Sequence, residues 1–140
     1  MDMYCDWLDA EKTIILLQIN RSWSWDDYAL MRDTINALAM TVCHPVYYIV
    51  DHSPANLQLL GTQSMLMIFN ETVANMPSHV TGLYLVGFPR LLKMFFRTLQ
   101  RISTVPLLQT VTFGCDVAST TALIQQSQRH FARCVSSSSQ

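Results

Sequence analysis

Apolar and polar residues alternate singly at the start of the chain. Met1, Met3, Cys5 and Trp7 are separated by Asp2, Tyr4 and Asp6, the period-two pattern of a strand with one buried face. Asp9-Ala10-Glu11 supplies a turn, and Lys12 to Ile19 is β-branched and nearly all apolar, which predicts a second strand buried on both faces and hairpin-paired with the first. The period then changes. Ser24 is an N-cap residue with Asp27 three positions on, as in a capping box, and Trp25, Tyr28, Met31, Ile35, Leu38 and Val42 recur at spacings of three and four. The spacing predicts a helix of about five turns that ends before His44-Pro45.

Val46 to Val50, closed by Asp51, predicts a short central strand. Ser53-Pro54 opens a helix over 55–76 that is apolar nearly all round through Met65, Leu66, Met67, Ile68 and Phe69. Val80 to Val86 is a further strand. After Gly87-Phe88-Pro89 comes an amphipathic helix whose core stripe is Phe88, Leu91, Leu92, Phe95, Leu99 and Ile102. Leu107 to Phe113 predicts the last strand and Gly114 to Asp116 a turn and cap. Val117, Thr121, Ile124, Gln128, Phe131 and Val135 mark a closing helix, with 136–140 a disordered polar tail. The order β-β-α-β-α-β-α-β-α predicts one α/β domain over 1–135. Its mixed, mostly parallel sheet of four to five strands is flanked by helices, and the hairpin supplies an antiparallel edge.

At 140 residues the chain is the size of one domain, and 50% hydrophobic against 14% charged residues leaves more apolar material than one core commonly needs. Part of that surplus is expected at an interface. No apolar run approaches the roughly 18 to 20 residues of a membrane span, and the N-terminus carries acid where an export signal carries basic residues, so a soluble cytoplasmic protein is expected. Cys5, Cys43, Cys115 and Cys134 are too scattered for a zinc or thiol-exchange pair, and His44, His52, His79 and His130 stand singly; no metal site and no cofactor is expected.

Charge is distributed unevenly along the chain. From Met1 to Asp33 three cations stand against seven acids, 3 − 7 = −4, whereas between Glu71 and Asp116 there is no acid and Arg90, Lys93, Arg97 and Arg101 give +4. These four fall together on the side of their helix opposite the core stripe. The bland alternative is a solvated face; the functional one is a face that docks an acidic partner. Four charges in a near-neutral domain fall short of a nucleic-acid footprint.

The order of elements resembles the STAS and SpoIIAA-like family, together with the helix opening Ser22-Trp23-Ser24-Trp25-Asp26-Asp27-Tyr28 and the strand end Ile49-Val50-Asp51. The resemblance spans roughly residues 4–133 and is closest to small stand-alone bacterial members. It implies a sheet flanked by helices that acts as a binding or regulatory module and not as an enzyme. It also implies a serine or threonine switch in an Asp-Ser-Ser-Gly type loop. That motif is missing here, and the nearest pieces are Asp51-His52-Ser53-Pro54 and Gly61-Thr62-Gln63-Ser64, which make Asp51, Ser53, Thr62 and Ser64 the candidate switch positions.

Asp51, His52 and Ser53 also place a base beside a hydroxyl. Neighbours in sequence rarely face one another, however, and no Gly-x-Ser-x-Gly elbow is present, so no catalytic residue is expected. Trp23, Trp25, Met65, Met67, Phe69, Phe95 and Phe96 are candidates for an interface or for an apolar-ligand site. The expectation is a self-associating, homodimeric protein-binding module, with a carrier of a small apolar, lipid-like molecule as the alternative.

Overall fold

The computed structural model describes residues 3–19, 25–51, 71–72, 74–87, 90–102 and 111–138, and among these not the side chains of 25, 26, 91, 92, 95, 96, 99, 102 and 131–138. The elements are β1 (Met3–Trp7), β2 (Ile14–Ile19), α1 (Trp25–Ala39), β3 (Val46–Asp51), β4 (Val80–Val86), α2 (Arg90–Ile102), β5 (Val111–Gly114) and α3 (Val117–Ser138). The strands form one sheet whose spatial order is the chain order, β1-β2-β3-β4-β5. β1 is antiparallel to β2, and every other neighbouring pair is parallel. The expected mixed, mostly parallel α/β sheet is therefore present.

The hairpin is closed by a carboxylate. Asp9 accepts hydrogen bonds from the backbone N–H of Thr13 (2.9 Å) and of Ile14 (3.0 Å), and from the Thr13 hydroxyl. This bracing surrounds Lys12, a non-glycine residue held at φ 57°. His44 packs against the same loop, its Nε2 2.7 Å from the Lys12 carbonyl. Just past β1 the Leu8 N–H donates to Ile14 O at 2.8 Å, so by antiparallel alternation the N–H of Trp7 points to the open edge of the sheet. Asp6 Oδ1 accepts it at 2.7 Å, a charged cover for an edge that would otherwise invite another strand.

Alternation along the strands divides the core in two. On one face, Ile15, Leu17, Ile19, Tyr48, Leu83, Leu85 and Val111 pack with Met31, Ile35 and Ala39 of α1, which lies over β1 and β2. On the other, Ile14, Leu16, Ile49 and Val86 pack with Ile124 of α3, which lies against β3 and β5. Burial of β2 on both faces, expected from its unbroken apolar run, is what the structure has. Residues 71, 72, 74 and 75 are helical and are joined to α1 by a polar seam: the hydroxyls of Tyr28 and Thr72 bond, Arg32 meets Glu71 at 3.2 Å, and Asn36 Nδ2 donates to Asn75 O at 3.1 Å. The Tyr48 hydroxyl donates to Asn36 Oδ1 at 2.8 Å and ties this seam to the sheet.

Two boundaries differ from expectation. α1 ends at Ala39 and not near Val42, because the imidazole of His79 takes up the Ala39 carbonyl at 2.7 Å and the chain leaves the helix in turns; Val42 still packs on the core. Of the strand expected over 107–113, residues 111–113 are strand and pair with β4 from Leu83 onward, and 107–110 lie outside the described residues. α3 is helical through Ser138, into the stretch expected as a tail. Its start is as expected: Asp116 accepts from the Ser119 N–H at 2.7 Å, and this bond holds its carboxyl below the usual carboxylate range. The helix predicted over 55–76 lies outside the described residues except for its last part. No helix among the described residues is long and apolar enough to cross a membrane.

Candidate interaction surface

α2 positions the four cations by periodicity. Residues 90, 93, 97 and 101 follow at intervals of three, four and four, so they stand above one another on one side of the helix. Arg90, Arg97 and Arg101 are exposed and Lys93 is half-buried. Met94 and Thr98 fall within the same stripe, and Met94 is 59% exposed. The helix is anchored at its far end by Gln100, whose Nε2 donates to Val111 O of β5 at 3.0 Å. Arg101 in the last turn is favoured by the helix dipole, and Arg90 in the first turn is opposed by it.

None of the four cations forms an ion pair among the described residues, where the ion pairs are Arg32 with Asp33 (3.3 Å) and Arg32 with Glu71 (3.2 Å). The chain carries no acid between Glu71 and Asp116 to neutralise them locally. The result is an uncompensated cationic face with a flexible thioether at its centre. Spacing alone identified the cations. Met94 was not among the candidates, although its place four residues after Arg90 and three before Arg97 puts it inside their stripe.

Asp51 is buried at the carboxyl end of β3 and accepts from Gln18 Nε2 at 3.2 Å, across the register that pairs the two residues. It thereby joins the ends of β2 and β3. Its companions as switch candidates, Ser53, Thr62 and Ser64, lie outside the described residues, as do His52, Trp23, Met65, Met67 and Phe69. Trp25 belongs to α1 and Phe95 and Phe96 to α2, but their side chains are not described. Two of the dispersed histidines, His44 and His79, hold backbone carbonyls as given above, and His79 was not foreseen as a cap. Among the described residues no three His, Cys, Asp or Glu side chains are grouped to hold a metal ion. Burial, aided by Asp6, pushes the Cys5 thiol up to about 11, whereas Cys43 and Cys115 are exposed free thiols.

No protein-family model matches this chain, and no curated protein matches it.

Proposed function

We propose that the protein is a non-enzymatic, STAS-like binding module whose working surface is the outward face of α2. The observation that supports this is the uncompensated stripe of Arg90, Lys93, Arg97 and Arg101 around the exposed Met94. A merely solvated face gains from acids interleaved at i,i+4, which here are absent from the whole helix. Guanidinium groups are planar, weakly hydrated and suited to bidentate pairing with carboxylates, so three arginines and a lysine favour a carboxylate-rich protein surface. Methionine adapts to irregular apolar contacts, and a thioether ringed by cations suits a contact centre with a charged rim. The alternative, a carrier of a small apolar ligand, draws on Trp23, Trp25, Met65, Met67, Phe69, Phe95 and Phe96, whose side chains lie outside the described residues.

Binding of poly-L-glutamate, followed by calorimetry at low and at physiological salt, tests this function. The native protein should bind, with affinity falling as salt rises, and Arg97→Glu combined with Arg101→Glu should weaken binding by at least about tenfold. Binding that is unaffected by the charge reversal would remove α2 as the working surface. Preference for anionic vesicles or duplex DNA over poly-glutamate would remove the protein-partner assignment.

A further inference from the structure

We infer that the partner of this cationic face is a second copy of the chain, docked about a two-fold axis so that α1 of each copy lies against α2 of the other. The inference rests on α2 being the contact surface, and it names what that surface meets.

Both helices belong to one layer. The strands β2 to β5 advance across the sheet in a single direction, so crossovers of one hand deliver their helices to one face. α1 lies on the face of Met31 and Ile35. Leu83, Leu85 and Val111, at the β4 and β5 end of that same cluster, are equally buried, and Gln100 ties α2 to Val111. The outer surface of this layer therefore presents α1 on one side and α2 on the other.

The two outward stripes are complementary. Opposite its buried residues, α1 with the turn that follows it exposes Leu30, Asp33, Ala37 and Met40, and Leu30 and Met40 are 57% and 66% exposed. The charges beside them are Asp33 and Glu71, which share the one guanidinium of Arg32 and leave a local balance of 1 − 2 = −1. α2 offers Met94 within four cations. Each stripe thus combines exposed apolar side chains with a net charge, and the two net charges are of opposite sign.

Packing α2 against α2 would set four cations against four, whereas crossing α1 with α2 satisfies both stripes at once. Because the two stripes share one layer, a two-fold axis between them makes both contacts together, and the assembly closes at a dimer. Pairing through the β1 edge is the competing geometry. It is opposed by Asp6, which already occupies the Trp7 N–H and would face its own copy.

Sedimentation velocity on the native protein and on two exposed-site variants, Arg97→Glu and Asp33→Arg, tests the inference, with circular dichroism as the check on folding. The native protein should be a dimer, and each variant alone should dissociate at least about tenfold more readily. An equimolar mixture of the two should regain the dimer, because in the mixed pair one α1–α2 contact is native and the other sets the new arginine at 33 against the new glutamate at 97. A native protein that stays monomeric while binding poly-glutamate through α2 would overturn the second copy as partner and leave the binding surface standing. Loss of poly-glutamate binding as well would bring down both. A mixture that stays monomeric would overturn the α1–α2 pairing, and growth beyond a dimer with concentration would overturn the two-fold closure.

Discussion

Gly114, the last residue of β5, leaves the space that Thr120 of α3 fills. A Cβ built on Gly114 would overlap Thr120 Oγ1 and come within 3.3 Å of Val86 Cγ2. Thr120 is fully buried, and its hydroxyl donates to Asp116 O at 2.7 Å, one turn earlier. The strand end, the helix cap and the second core are thereby locked into a single contact.

Gly114→Ala should therefore destabilise the protein by about 1–3 kcal/mol, the cost of overpacking a closed site. Thr120→Ala should cost about 1 kcal/mol for the lost hydrogen bond. In the double variant the overlap with the hydroxyl is gone, so its loss should fall short of the sum by about 1 kcal/mol. Urea denaturation of the four proteins measures this; strict additivity would show that the two residues do not compete for the same space.

Asp9 supports the hairpin through three donors. Asp9→Ala should lower stability by about 2 kcal/mol, in the range for hydrogen bonds to a charged group, and Asp9→Asn, which keeps one acceptor oxygen, by roughly half as much. Thermal melting of both variants checks this. Amide exchange should also quicken at Thr13 and Ile14 before it does in β3, because β1 and the turn are the first to loosen.

Cys5 should react with iodoacetamide much more slowly at pH 8 than Cys43 or Cys115. Burial raises its thiol from the ordinary value near 9 to about 11, so the thiolate is scarce at pH 8, whereas the other two are exposed. The sign for stability follows from the same shift. The folded protein holds this proton more tightly than the unfolded chain, so the contribution is complete below pH 9 and is lost as pH rises through 11. Mass mapping of labelled sites against time and pH reads both effects; equal labelling of the three thiols would contradict them.

Local pattern made most of the fold legible. The alternation of Met3, Cys5 and Trp7 and the unbroken run of Ile14 to Ile19 specify an edge strand and a central one, because burial on one face or two decides which positions must be apolar. The errors have causes far away in sequence. α1 stops at Ala39, whose carbonyl is met by His79 from far along the chain, and nothing within the helix announces that contact; Val42 continues the apolar stripe but packs from a turn. At the candidate surface the cations were visible because helical spacing and the lack of acids are sequence properties. The burial of Asp51 was not, since its partner Gln18 comes from the neighbouring strand.

The coincidence of spatial and chain order in the sheet bears on how the molecule is made. Among the described strands, each from β2 onward pairs with the one synthesised just before it, so its partner is already outside the ribosome when it emerges. A growing sheet exposes a single advancing edge while its first edge is already guarded by Asp6. Ile124, which completes the second core with residues of β2, β3 and β4, lies on α3, the last element of the chain. The chain order thus permits assembly in one direction, with α3, the last element, able to act as the final latch.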